Sequence, residues 1–139
     1  MKKIAAFLLL IMLIGASCKK PAKIIEEQKD LIFQILTDGL WSVTLLTVNT
    51  TDYTADFGGY RFKFYDDKSV DATFNTVFVN KGIWDASTTT MTTTSNFAGA
   101  TQPLSLMNGT WKIDRSGSRF VEATQTNGTE VKKLKMYRE

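Results

Sequence analysis

The residue with the most specific chemical context is the single cysteine, Cys18. It follows a basic start, an apolar run over residues 4–14 and the small residues Gly15, Ala16 and Ser17. This order is typical of a signal peptide, and the apolar run is shorter than the roughly 20 residues that cross a bilayer as a helix. Because the chain has one cysteine and no histidine, it offers neither an internal disulfide nor a His/Cys zinc site.

Pairs of carboxylates are the other residues that could support chemistry. Asp66 and Asp67 lie close to Asp71 in the sequence, and Asp52 lies close to Asp56. Two carboxylates can hydrolyse a glycoside or hold calcium. The first pair, however, stands in a stretch typical of a hairpin turn, where aspartate is favoured because its side chain bonds the backbone. No histidine is available as a base, so we predict no enzyme, no metal and no cofactor.

Length and composition predict one globular domain. The chain has 139 residues, of which 43% are hydrophobic, 22% charged and 12% aromatic. Its 17 basic residues exceed its 14 acidic ones, but Lys2 and Lys3 lie in the segment expected to be removed. The remaining charge is about +1, which is too balanced for a protein that binds nucleic acid.

An amphipathic helix is predicted to follow a short tether that contains Pro21. Apolar residues recur at spacings of three and four from Ile24 to Leu36, and the helix is expected to end near Asp38 and Gly39. One interpretation is a helix on a membrane surface. The other is a helix that packs against the domain and closes one end of it. Acidic residues on the polar face favour the second, because helices on lipid surfaces are usually basic.

From Leu40 onward the apolar period changes to two, which indicates antiparallel strands with one buried face. We count seven or eight strands, separated by turn signals at residues 66–68, 80–82, 116–118 and 127–128. The predicted fold is mainly β, with an N-terminal helix followed by a seven- to eight-stranded antiparallel up-and-down barrel or a sandwich. Two long connections, 49–59 and 95–109, are expected at one rim, and a Thr-rich strand over residues 88–95 at an exposed edge.

Each of the three tryptophans stands two residues after a glycine, at Gly39-Leu40-Trp41, Gly82-Ile83-Trp84 and Gly109-Thr110-Trp111. The glycine allows a sharp turn into a strand, and the tryptophan then fills the end of the core with its large side chain.

The residues that end at Cys18 resemble the lipobox of bacterial lipoproteins, although Gly15 fills a place more often held by leucine. The resemblance implies cleavage before Cys18 and acyl chains, such as palmitate, on that cysteine. We therefore expect a signal peptide over 1–17, a lipidated tether over 18–22 and the folded domain over 23–139. Lys19 and the lack of an acidic run after it imply a lipid anchor in the outer membrane, facing the periplasm.

The order of helix, Gly39-Leu40-Trp41 and alternating strands resembles lipocalin-like lipoproteins of Gram-negative bacteria over nearly the whole mature length. The resemblance implies a barrel whose end is closed by Trp41, with Arg138 stacked over its ring. A second lipocalin motif, a T-D-x-x-x-Y turn, is not found.

Two functions follow as expectations. The first is a membrane-anchored carrier of a small hydrophobic ligand, since an eight-stranded barrel can hold one. Its pocket would be lined by Tyr60, Phe62, Phe64, Phe74, Phe78, Met91, Leu134 and Met136. The alternative is a non-enzymatic structural or interaction accessory of an envelope protein complex. A carrier needs empty apolar volume inside, whereas an accessory needs a filled core and an apolar patch outside.

Overall fold

The structure, a computed structural model, describes residues 31–139. It is mainly β, with a helix over residues 31–37, here α1, and a nine-stranded sheet in which eight strands close into an antiparallel barrel. The predicted barrel is thus confirmed and the sandwich is not found. The predicted signal peptide, Cys18, the tether and the first half of the predicted helix lie outside the described residues.

The bounds of the nine strands are β1 Trp41–Val48, β2 Thr51–Asp52, β3 Tyr60–Phe64, β4 Ser69–Phe74, β5 Val77–Ser87, β6 Thr92–Asn96, β7 Gly109–Gly117, β8 Phe120–Asn127 and β9 Glu130–Arg138. From β3 to β9, each strand pairs with the next strand in the chain, and β1 pairs with β2, β3 and β9.

The barrel closes because β1 has strand neighbours on both sides. Along one side it pairs with β9 from Trp41 opposite Arg138 to Val48 opposite Lys132. On the other side it meets β3 where Trp41 lies opposite Phe62. The two-residue β2 pairs back onto the last residues of β1 and stands outside the ring of eight.

The up-and-down order gives the barrel two different ends. At one end, which we call the helix end, α1 leads into β1 and tight turns join the other strands. The opposite end is called the loop end. At the loop end lie both long connections, residues 49–59 and 97–108; the second is slightly shorter than the predicted 95–109, because β6 ends at Asn96 and β7 begins at Gly109. Each contains a short 3₁₀ turn, Thr54–Phe57 and Leu104–Met107, and these turns bury Phe57, Leu104 and Met107 in the core.

A β-bulge changes which residues of β1 face the core. The register with β9 shifts between Val43 and Leu45, so Leu46 rather than Leu45 is fully buried. The alternation read from the sequence cannot detect this, because a bulge inserts one residue without changing the local composition.

Two other expectations were wrong. Residues 80–82 do not form a turn, because β5 runs through them and the chain reverses at Asn75 and Thr76, both with positive φ. The Thr-rich segment is not an exposed edge either: residues 88–91 form a turn, and β6 pairs with β5 on one side and β7 on the other.

Candidate functional site

Five of the eight predicted pocket residues lie on the inner side of the barrel. Phe62, Phe64, Leu134 and Met136 are buried there, and Tyr60 is half-buried at its loop end. They do not line an open pocket, because other large side chains occupy the same space. These other side chains include five fully buried rings, those of Trp41, Phe57, Trp84, Phe97 and Trp111.

Ring contacts across the interior leave little empty space. The Phe62 and Phe97 ring centroids are 5.9 Å apart, and those of Phe64 and Trp84 are 5.3 Å apart. The void that Phe62, Phe64 and Phe97 help to line has a volume of about 30 Å³. Ligand pockets usually measure about 300–1,000 Å³, whereas a void of this size holds one or two water molecules. The interior therefore works as a packed core.

The other three predicted pocket residues, Phe74, Phe78 and Met91, are exposed and do not line the interior. Phe74 and Phe78 lie on either side of the Asn75-Thr76 turn, where β5 has no pairing with β6. Met91 has φ +50° in the turn that precedes β6. Phe74 and Met91 were assigned by alternation within a strand, and alternation does not indicate where the barrel wall ends.

The helix end brings together Gly39, Trp41 and Arg138, the predicted plug. The buried Trp41 indole N–H donates to the carbonyl of Leu36 at 2.9 Å, which ties α1 to the barrel. Gly39 has φ +85°, and a Cβ there would lie 3.1 Å from side-chain carbons of Arg138. The Arg138 guanidinium pairs with Asp38. Among the described residues, guanidinium groups lie over the rings of Phe120 and Tyr137 only, so the implied stacking of Arg138 on Trp41 is not found.

The described part of the helix packs on the barrel. Ile32 and Leu36 are buried, and the Phe33 ring lies 4.8 Å from that of Trp84. Lys63 Nζ donates to the Thr37 carbonyl at 2.8 Å and fixes the last turn of α1. For residues 31–37, the structure agrees with a helix that closes the barrel.

The main exposed apolar feature is the tip of the β4–β5 hairpin, residues 74–79, which we call the hairpin tip. Val77, Phe78 and Val79 are 66%, 58% and 46% exposed. The Phe74 ring rests on Tyr60, with centroids 5.1 Å apart, and so joins the tip to the loop end. The sequence contains a signal for this feature that sequence analysis missed, the consecutive apolar residues 77–79. Three consecutive residues of a strand cannot all face one core.

The carboxylates singled out in the sequence are engaged locally. Asp67 Oδ1 accepts from the Ser69 backbone N–H at 2.9 Å and from its hydroxyl at 2.6 Å, and these bonds lower the pKa of Asp67. The side chain and then the backbone N–H of Thr54 likewise lower the pKa of Asp52 through hydrogen bonds. Both are turn contacts of the expected kind. Within residues 31–139, acidic residues, histidine and cysteine form no group of three that could hold a metal ion.

Comparison with known proteins adds information about the fold. No protein-family model matches the chain, and no curated protein matches it. The fold is similar to one solved structure in particular. That structure is the crystal structure of a DUF4847 family protein from Bacteroides vulgatus, with a TM-score of 0.55 and 12% identity. The match covers 78% of this chain and 97% of the other. Within residues 31–139, no helix has the length and apolarity needed to span a membrane.

Proposed function

We propose that the chain is a lipid-anchored envelope protein whose barrel is a non-enzymatic interaction module. The lipid anchor is supported by the lipobox-like sequence that ends at Cys18. In this proposal the anchor holds the protein in the outer membrane, with its domain in the periplasm. The module is supported by one observation in particular. The apolar void inside the barrel has a volume of only about 30 Å³, whereas the hairpin tip exposes several apolar side chains to solvent.

The carrier function stands as the second candidate, on the lipocalin resemblance and on the apolar lining of the interior void. That lining includes Leu36, Phe62 and Trp111. To admit a small hydrophobic ligand, the void would have to grow about tenfold, because ligand pockets begin near 300 Å³. Such growth would require several buried rings to move together, and close-packed interiors resist this. The interaction module requires no such change.

The hairpin tip is well suited to a protein partner. It projects from the loop end, opposite the end at which the described chain enters the barrel through α1. Its side chains are apolar and close together, and exposed apolar clusters are uncommon on monomers that bind nothing. Phe78 is a suitable anchor for an interface, since aromatic residues are enriched at interface centres.

The anchor is tested by Cys18→Ala in cells of a Gram-negative host. We expect the variant to be released from the membrane fraction or to stay uncleaved, because the thiol that would receive lipid is gone. Fractionation and intact-mass measurement of both chains provide the readout. A variant that is cleaved before residue 18 and still bound to membranes would contradict lipid anchoring.

The module is tested with a photoreactive amino acid at position 78 in the intact envelope. We expect a covalent adduct with a protein after irradiation. The matched control carries the same amino acid at Tyr137, which is also exposed and aromatic but lies at the helix end. Adducts at both positions in equal yield, or at neither, would contradict the assignment of the hairpin tip as the interaction surface.

A further inference from the structure

Two arginines at the helix end of the barrel each lie over an aromatic ring. The guanidinium carbon of Arg115 is 5.7 Å from the centre of the Phe120 ring, and that of Arg119 is 5.3 Å from the centre of the Tyr137 ring. Phe120 lies opposite Tyr137 in the β8–β9 pair. The four side chains therefore form one continuous surface, which we call the arginine–aromatic patch.

The patch is on the outside of the barrel wall. Val121 and Met136, which follow and precede the two ring residues in their strands, are buried in the core, and successive side chains of a strand point to opposite faces. Tyr137 is accordingly 42% exposed. The Phe120 ring rests on the turn between β7 and β8, because a Cβ at Gly117 would lie only 2.6 Å from it. The patch is therefore an ordered surface that solvent can reach.

The arginines of the patch keep their charge available for a partner. Arg119 is exposed, forms no ion pair within residues 31–139, and donates to the carbonyl of Arg138 at 3.3 Å. Arg115 lies 3.5 Å from Glu122, but its side chain is 69% exposed, and exposed pairs contribute little. Glu122 also pairs with Lys135 at 2.8 Å. Both guanidinium groups can therefore bind phosphate, whose oxygens match the guanidinium fork.

The patch lies at the end of the barrel from which the chain leads back toward Cys18. The described chain begins with α1 at this end. Residues 19–30 separate Cys18 from α1 and can span at most about 40 Å. The loop end lies about 30 Å farther away along β9. A lipid on Cys18 would therefore hold the helix end nearer to the membrane than the loop end.

We infer that the arginine–aromatic patch docks on the anionic phospholipid headgroups of the membrane that holds the lipid anchor. The inference rests on the proposed function, to which it adds an orientation. The two guanidinium groups bind headgroup phosphates, and the Tyr137 ring lies among the headgroups, where amphipathic aromatic rings are favoured. The exposed Leu40 adds apolar surface beside the patch, since its carbonyl accepts from the Glu139 backbone N–H at 3.0 Å. The hairpin tip then points away from the bilayer, toward a protein partner.

Charge favours the helix end over the loop end for this contact. The hairpin tip has no charged residue, and the loop end presents the exposed carboxylates of Asp52 and Asp56, which an anionic surface repels. Asp66 and Asp67 do lie at the helix end, but they stand in the β3–β4 turn, across the barrel from β7 and β8. The β7–β8 side of the helix end is therefore the side suited to anionic lipid.

Fluorescence quenching by lipid headgroups tests the docking. A thiol-reactive fluorophore is attached to Ser118→Cys in the β7–β8 turn or, as a control, to Thr129→Cys in the β8–β9 turn at the loop end; both positions are exposed. Lipid occupies the Cys18 thiol in the proposed function, so the new cysteine is the one free thiol of the exported full chain. Each labelled lipoprotein is reconstituted into vesicles of phosphatidylethanolamine and phosphatidylglycerol with a headgroup quencher. We expect strong quenching at position 118 and little at position 129.

Two double variants separate the patch from the general charge of the protein. Arg115→Gln with Arg119→Gln should lower the ratio of docked to undocked barrels about 25-fold, because each arginine near an anionic surface contributes a factor of about five. Lys112→Gln with Lys133→Gln removes the same charge from exposed positions of β7 and β9 outside the patch, and should leave the quenching largely unchanged. Vesicles of phosphatidylcholine alone should abolish it, as should about 1 M salt, which screens charges beyond about 3 Å.

The outcomes distinguish the docking from the proposed function. Equal quenching at positions 118 and 129, no quenching at 118 on vesicle-bound protein, or full quenching of the arginine variant would overturn the inference. In each of these cases the lipid anchor and the hairpin tip are unaffected, so the proposed function survives. A full chain that does not float with the vesicles would refute the anchor and the docking together.

Discussion

At the scale of single residues, the three tryptophans act in the same way. Each is buried, and each indole N–H donates to a backbone carbonyl just outside its strand. The acceptors are Leu36 for Trp41, Tyr65 for Trp84 and Met107 for Trp111, at distances of 2.9, 3.1 and 2.9 Å. Burial of an indole normally requires such a partner. Each tryptophan therefore fixes a neighbouring segment outside its strand as well as filling the core.

Replacing Trp41 tests this double role. We expect Trp41→Ala to lower the free energy of unfolding by about 3–5 kcal/mol, as for a large buried aromatic. Trp41→Phe keeps much of the ring but leaves the Leu36 carbonyl without its donor, so we expect a loss of about 1–3 kcal/mol. Denaturant titration of both variants measures these losses. A loss under about 1 kcal/mol for the alanine variant would mean that Trp41 is not a core residue.

What the sequence revealed about single residues depended on whether their role was local. The tryptophans, the Asp67 turn and Gly39 could be predicted, because a buried indole, an Asx turn and a positive φ all depend on near neighbours. The inner and outer positions of Phe74, Phe78 and Met91 could not. Their exposure depends on where the hairpin leaves the barrel wall, which is a property of the assembled sheet.

At the scale of elements, alternation located most strands but not their irregularities. The Gly128 hairpin turn lies where Asn127-Gly128 predicted it. The Asn75-Thr76 turn was missed because threonine rarely adopts positive φ, here +70°. As a result, the first half of β5 was not recognised as strand, and the exposed hairpin tip was not expected. The sequence did not decide between an open pocket and a filled core, because composition does not reveal how side chains pack.

The link between α1 and β1 gives the prediction at this scale. Gly39→Ala should destabilise the fold by about 1–3 kcal/mol, because alanine at φ +85° is strained and its Cβ would press on Arg138. Gly128→Ala is the matched control. Gly128 has φ +59°, and a Cβ added there would meet no atom within 4 Å beyond its chain neighbours. Gly128→Ala should therefore lower the free energy of unfolding by only about 1 kcal/mol, which is the cost of the backbone strain alone. Equal unfolding midpoints for the two variants would show that contact with Arg138 contributes nothing.

At the scale of the whole molecule, the two barrel ends are specialised. The helix end is sealed by α1, Trp41 and the Asp38–Arg138 pair. The loop end is closed by the 3₁₀ turns and carries the hairpin tip. With both ends closed and the interior filled, the surface is the part of the barrel left to recognise a partner. This division follows from topology, because an up-and-down barrel collects alternate connections at each end.

The most direct test of the account is whether the barrel contains a ligand. The full chain is exported, extracted from the membrane and examined by native mass spectrometry, followed by solvent extraction and analysis of the extract. The account predicts a protein whose mass is explained by the chain and its covalent lipid. One small apolar molecule bound per chain would contradict it and would favour the carrier function.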